Sequence, residues 1–471
     1  MDKPSLGGRL LRSSSAATFS QVWRVGVTFL TQAVLRRLVA PDDWGFWHWA
    51  VDFLFVILGQ VRDLGLPAQL VRDPARPYGP FLAVEVGWGA LLSIAFAAGA
   101  PILVLLSPDS SLHAVPLLQA LVLFFFFEGL AKVPLTYFEA EIRIDRVLWP
   151  EIARNLCYVA VSLSLAFAGY GVWSLLAAHV AASAVFAGML WWRAYGEMSL
   201  GWTRGSVGPL LRSSLPLMLM AIVLLAVETV DYQVIGLRFS DEVVGLYGGA
   251  LTLALMVTRV VEWPLRRALY PTFVEVRHDP VRFFATYRLS TILLLAIHVP
   301  VAGVLYLNAS TVLGLVWGES YYPAAGYLEL LCLVPLVQPF ARCAEDVLLP
   351  RHEERILTAS AVINLAALGA AGYWLTGVLG PEGMAWAKLL PVGTVLVIWA
   401  IERVDPDGFR RLGLDVLAMY GVAVALFAAA AWIGGGDDYL RLGLSVLAGA
   451  ASVLVYAGLY GRAFREFFQG T

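Results

Sequence analysis

Leu10-Leu11-Arg12-Ser13-Ser14 returns two hundred residues later as Leu210-Leu211-Arg212-Ser213-Ser214. Asp42 with Gly45-Phe46-Trp47 returns at the same interval as Glu242 with Gly245-Leu246-Tyr247. Two ungapped matches at one offset indicate an internal duplication, each copy being one structural unit. Within the first copy, apolar runs bounded by Gly, Pro or charge predict helices near residues 14–37, 44–64, 79–106, 113–136, 148–169 and 171–192. The second copy predicts six more, near 211–236, 243–268, 286–306, 322–349, 354–377 and 382–402, and a last pair follows near 412–434 and 438–460. An even number of spans per copy brings the second copy into the membrane in the orientation of the first. The repeats are therefore expected to be parallel, related by an axis along the membrane normal.

Composition agrees with this reading. Of 471 residues, 59% are hydrophobic and only 14% charged, and the mean hydropathy is +0.73; a soluble protein carries about 25% charged residues. At about 20 apolar residues per span, the chain has room for about fourteen spans and for no sizeable soluble catalytic domain. The expected fold is an all-α polytopic membrane protein of about fourteen transmembrane helices, with two parallel six-helix lobes around a central cleft plus a C-terminal helix pair. The expected divisions are a first lobe over 1–200, a second over 201–403, and the pair with a cytoplasmic tail over 404–471. A formal charge of −2 implies no attraction to nucleic acid.

Lys and Arg accumulate in short cytoplasmic loops, and most of the 33 basic residues fall in alternate loops, among them Arg72 and Arg76, Arg143 and Arg146, Arg351 and Arg355, and Arg410 and Arg411. The opposite loops hold little beyond Arg36, Arg37, Arg238 and Arg441. Both termini are then cytoplasmic. The N-terminal segment lacks an apolar h-region, since Thr18, Ser20, Gln21 and Arg24 interrupt it, so it does not read as a cleaved signal peptide. Trp44, Trp47 and Trp49, and Trp191 with Trp192, read as interfacial anchors. Cys157, Cys332 and Cys343 lie in apolar stretches without zinc-ligand spacing and read as packing residues; no metal or cofactor is expected.

Several segments carry a family resemblance. Leu35-Arg36-Arg37-Leu38-Val39-Ala40-Pro41-Asp42-Asp43-Trp44-Gly45 resembles the segment after the first helix in oligosaccharide flippases of the Wzx type, in the MOP superfamily that also holds the lipid II flippase MurJ and the MATE drug exporters. Asp63-Leu64-Gly65-Leu66, Val133-Pro134-Leu135 with Glu141-Ile142-Arg143, and Asp231-Tyr232-Gln233-Val234-Ile235-Gly236 with Gly245-Leu246-Tyr247 resemble further elements in order. The chain departs from the family's common aliphatics at Arg36 and Trp47. The resemblance covers roughly residues 10 to 400. It implies transport of a polyprenyl-pyrophosphate-linked oligosaccharide across the cytoplasmic (inner) membrane, with membrane lipid, a polysaccharide polymerase and glycosyltransferases as partners.

Charged side chains inside spans cost about 2.5–3.5 kcal/mol on insertion scales and normally face a cavity or a partner. Arg24 falls about ten residues into the first span, near the bilayer middle. Thr18, Gln21, Arg24, Thr28 and Gln32 recur at spacings of three and four and form one polar stripe, expected to face the cleft. In the second copy Arg259, Glu262 and Arg266 share a helix face. A guanidinium forks onto a pyrophosphate in a bidentate, charge-assisted way, so Arg24, Gln21, Thr28, Gln32, Arg259 and Arg266 are candidate substrate contacts. Neutralisation of buried carboxylates is the competing reading for Arg24 and Arg259, and a place on the cytoplasmic rim for Arg266. Asp52, Glu228 and Asp231 are candidates for binding a coupling proton or sodium ion, against simple pairing of Glu228 and Asp231 with Lys388 or another cation; His48 reads as a solvated partner of Asp52. Glu128 with Lys132, and Arg342 with Glu345 and Asp346, read as ion pairs within one helix.

Lysine occurs only at Lys3, Lys132 and Lys388, none followed by Ser or Thr, which excludes a GxxxxGK[ST] phosphate loop. The function expected from the chain is alternating-access transport rather than catalysis. A MATE-like cation-coupled exporter of amphipathic small molecules is the alternative transporter. A membrane glycan polymerase or ligase is the enzyme alternative, disfavoured because the longest outer loop, about Asn308 to Tyr321, is short.

Overall fold

Prolines and acidic caps start two of the helices ahead of the apolar runs that the sequence predicts from 286 and 412. Asp279 Oδ1 accepts from the backbone N–H groups of Val281 (3.0 Å) and Arg282 (3.1 Å), just ahead of Pro280. Asp405 Oδ1 likewise accepts from Gly408 N (2.9 Å), ahead of Pro406. These carboxylates satisfy donors that have no partner inside the helix, and proline fits a first turn that needs no N–H. Pro101, Pro134, Pro150, Pro300 and Pro339 lie inside helices, which bundles in lipid tolerate because neighbouring groups re-satisfy the freed carbonyls.

The computed structural model describes residues 23–52, 78–106, 114–201, 222–348 and 353–469, except for positions 142, 144, 199, 224, 257, 263–264, 267–268, 270–272, 274, 277–278 and 404. The Leu10–Ser14 and Leu210–Ser214 copies, Gln21, and most of the predicted span at 44–64 lie outside these residues. Every regular element among the described residues is helical. The first part contains α1 (23–38), α2 (Pro41–Phe46) continued as a π-helix over Trp47–Asp52, α3 (Tyr78–Leu106), α4 (Ala114–Ala140), α5 (Asp145–Phe167), α6 (Val172–Ala194) and α7 (222–236). Next come α8 (Asp241–Ala254), a π-helical segment Thr258–Glu262, α9 (Pro280–Leu307), α10 (Ala309–Val316), a 3₁₀ turn Glu319–Ala324, α11 (Ala325–Leu331) and α12 (Val334–Leu348). The chain closes with α13 (Glu354–Leu379), α14 (Glu382–Lys388), α15 (Val392–Glu402), α16 (Pro406–Gly434) and α17 (Asp438–Gln469).

Among the described residues, seven helices are long and apolar enough to cross a membrane, or eight if the pair Glu319–Leu331 and Val334–Asp346, bent by 46°, forms one span. The outer loop expected at Asn308–Tyr321 is itself ordered. It holds α10 and the 3₁₀ turn, and its Trp317 and Tyr321 are fully buried, with Trp317 Nε1 donating to Gly249 O (3.1 Å).

Contacts divide the chain into two compact units, Met1–Gly245 and Leu246–Thr471. In the first, α6 packs on both α4 and α5, and α3 lies against α4. Trp44 and Trp47 are 3% and 4% exposed and join Leu35, Leu118, Leu121, Phe125 and Leu175 in one core. Their expected place as interfacial anchors is thereby corrected. A ring enclosed by α4 and α6 side chains has no surface left to meet headgroups. In the second unit α9 is central, packing on α12, α16 and α17. Arg288 of α9 pairs with Asp415 of α16 through Nε (2.6 Å), and Tyr456 OH of α17 donates to Met419 O (2.7 Å). The C-terminal helices therefore share a core with α9, through Phe427, Val299 and Tyr456.

Candidate functional site

Along α1 the predicted polar stripe is present where it is described. Arg24 and Thr28 are exposed, and Gln32 is half-buried with its Oε1 enclosed and without a hydrogen-bond partner among the described residues. Glu151 of α5 lies within electrostatic reach of both Arg24 and Arg154. The stripe thus offers an accessible guanidinium, a hydroxyl and an amide on one side of one helix, with a carboxylate nearby. Such a set can take an anion of phosphate type, or Arg24 can answer Glu151.

A second polar group sits at the start of α2 and the end of α7. Arg36, 1% exposed, stacks its guanidinium over Trp44 at 4.4 Å and meets His48 Nε2 at 3.2 Å. His48 is itself 6% exposed and stacks face to face on Tyr232 of α7, centroids 4.9 Å apart and planes 8° apart. Gln233 Nε2 donates to Trp49 O (2.7 Å). His48 is therefore enclosed by rings and a guanidinium. It is not the solvated residue the sequence suggested. Asp231 is fully buried, whereas Glu228, one turn earlier on the same helix, is exposed. The remaining candidate, Asp52, ends the π-helix after α2, with its side chain outside the described residues; Glu85 of α3, a further acidic residue inside a predicted span, is 1% exposed.

In the second unit the charges concentrate between the π-helical segment, α9 and α12. Arg266 forks onto Asp346, with Nε to Oδ2 at 2.6 Å and Nη2 to Oδ1 at 2.7 Å, and also approaches Glu345 (3.4 Å) and Glu262 (3.8 Å). Arg342 pairs with Glu345 one turn along α12 at 3.6 Å, as its spacing predicted. Asp346 instead reaches across to Arg266. Arg259 belongs to the π-helical segment, but its side chain lies outside the described residues. Glu128 of α4 is held by two other helices, at 2.6 Å from Arg154 of α5 and 2.7 Å from Ser183 of α6.

Sequence reasoning left out Arg36, Tyr232 and His298 as members of polar clusters. For His298 a signal existed, an ionisable residue midway along the most apolar part of a predicted span. For Arg36 none did, because an arginine at the end of a predicted span gives no sign of folding under a tryptophan.

A family model described as "Polysaccharide biosynthesis protein" matches residues 34–326, more than half of the chain. The succinoglycan biosynthesis transport protein ExoT of Rhizobium meliloti (strain 1021) is 25% identical over 426 residues, covering 88% of this chain and 85% of that protein. Among solved structures, the lipid II flippase MurJ in an inward closed conformation aligns with a TM-score of 0.72 at 13% identity, over 96% of this chain and 99% of that one. An inward-facing multidrug resistance MATE family transporter of the MOP superfamily aligns with a TM-score of 0.66 at 14% identity, over 83% and 95%. The fold is that of the MurJ and MATE transporters.

Proposed function

The chain belongs to the polysaccharide biosynthesis protein family, and on that premise we propose that it is a flippase for polyprenyl-pyrophosphate-linked oligosaccharide repeat units. It carries them across the cytoplasmic membrane by alternating access between two parallel lobes, with about fourteen spans, both termini in the cytoplasm, and a third division formed by the C-terminal helix pair. The observation that carries the reading is the exposed Arg24 on α1, with Thr28 in register beside it. A guanidinium stays charged when desolvated and presents paired donors, which is what a diphosphate needs from the wall of a membrane cleft. The succinoglycan transport relative and the MurJ fold support the same reading, although a shared fold leaves the substrate open. Glycosyltransferases that build the repeat unit and a polymerase that consumes it are the partners this activity requires.

Depleting the protein in its own cells tests this against the exporter and enzyme alternatives. The flippase reading expects lipid-linked repeat units to accumulate in the inner leaflet while surface polysaccharide falls, with drug susceptibility unchanged. Unchanged glycan with heightened susceptibility to amphipathic drugs would transfer the assignment to an exporter. Repeat units that reach the outer leaflet but remain unpolymerised would transfer it to a glycan polymerase.

A further inference from the structure

The π-helical segment Thr258–Glu262 brings Thr258 and Glu262, four residues apart, to one face opposite α9. There His298, 1% exposed, places its Nε2 3.2 Å from Thr258 Oγ1 and 3.7 Å from Glu262 Oε2. Its other ring nitrogen, Nδ1, lies 2.7 Å from Leu294 O. A carbonyl oxygen can only accept, so Nδ1 carries a hydrogen in every protonation state. A neutral His298 therefore turns the lone pair of Nε2 toward Glu262. Glu262 is 3% exposed, and its Oε2 is enclosed and makes no hydrogen bond among the described residues.

The surrounding charges leave room for one more proton. Among the described residues the charged groups facing Glu262 are Arg266, four positions further on, and Arg342, Glu345 and Asp346 from α12, with His298 from α9. Among the described residues Arg266 and Arg342 match Glu345 and Asp346 in charge, so Glu262 is the surplus carboxylate there. Burying one carboxylate more than the cations beside it is costly, and one proton on either Nε2 or Oε2 brings these described groups to neutrality.

We propose that Glu262 and His298 together hold one exchangeable proton, forming a proton-binding site in the second unit. On uptake the Nε2 lone pair becomes an N–H bond directed at Glu262 Oε2, or Oε2 itself takes the proton. On release that bond breaks, the proton returns to water, and the Thr258 hydroxyl donates to Nε2 in its place. The site's part in a transport cycle rests on the flippase reading above, while proton binding itself does not. π-Helical turns recur at functional positions in helices, and here the turn aligns both partners of the imidazole.

Nitrogen-15 NMR of imidazole-labelled protein in lipid nanodiscs tests the site without any transported substrate, so its outcome is separable from that of the flippase reading. The His298 signals are identified by their loss in His298→Gln. Neutral His298 is expected to carry its hydrogen on Nδ1, and Glu262→Gln is expected to weaken proton binding at Nε2 at least about tenfold, one unit on the pH axis. An unshifted titration in Glu262→Gln, or a neutral His298 protonated on Nε2, overturns the proposal. If Glu262→Gln does not fold, Glu262→Asp keeps the charge but draws it back by one methylene. A smaller weakening is then expected, and an unchanged titration is again fatal.

Discussion

Gly45 and Gly245 meet at one backbone crossing, each leaving open the space that the other segment's backbone fills. A Cβ on Gly45 would strike the carbonyl oxygen of Asp241, and a Cβ on Gly245 would strike that of Pro41. These four residues form two pairs at the interval of the sequence repeat, so the contact is reciprocal in the way of a two-fold interface. Burial keeps the same register, since residues 41–48 and 241–248 pass from half-buried to buried at matching steps. Glycine is required at both positions because only it lets the two backbones meet.

Gly45→Val and Gly245→Val are each expected to cost about 1–3 kcal/mol or more, as overpacked sites do, read as a lowered Tm in detergent. The double variant should lose less than the sum, because the first side chain has already parted the backbones that the second would part. Strict additivity would show that the two glycines do not share one crossing.

Arg24→Ala is expected to reduce export of the lipid-linked glycan about ten- to hundredfold, the worth of a charge-assisted hydrogen bond of about 1.5–3 kcal/mol, with normal amounts of protein in the membrane. Arg24→Lys should recover only part, since an ammonium cannot fork. If Arg24 serves Glu151 instead, Arg24→Ala lowers membrane abundance and Glu151→Gln in the same chain restores it. Parallel measurements of abundance and export for the three variants separate these outcomes.

Asp231 and Glu228 stand one turn apart in opposite surroundings, one buried and one exposed. If a coupling ion binds at this part of α7, Asp231→Asn should abolish gradient-driven accumulation in proteoliposomes and Glu228→Gln should leave most of it. Equal loss from both would point to a shared site. Transport indifferent to proton, sodium and voltage gradients would remove both from consideration.

Asp43 lies ahead of the predicted second span, and burial, with the neighbouring charge of Asp42, pushes its carboxyl above the usual carboxylate range despite a hydrogen bond from Val172 N–H. The folded state then binds a proton that the unfolded chain has already lost, so stability falls as pH rises through that window and stays lower above it. Asp43→Asn keeps an acceptor for Val172 and removes the charge. It should therefore raise Tm at neutral pH, with the gain vanishing on acidification below about pH 4, the ordinary carboxylate pKa. A lower Tm at neutral pH would mean that the charged form of Asp43 is the one the fold uses.

The sequence alone determined the membrane class and most helix positions among the described residues. The span read at 79–106 is α3, Tyr78–Leu106, and that at 171–192 is α6, Val172–Ala194. Run length, apolarity and backbone self-satisfaction are local properties of a segment in lipid, so they are legible one segment at a time. Partner choice was legible only within a helix, as for Arg342 with Glu345. Tertiary structure alone decided that Asp346 answers Arg266 and that Arg154 answers Glu128. It also put Trp44 under Arg36 rather than at the headgroups, and brought His298 to Glu262. Each of these depends on the rotation and tilt of one helix against another. Those are set by the packing of whole faces, and periodicity along a single segment carries no record of the face it will meet.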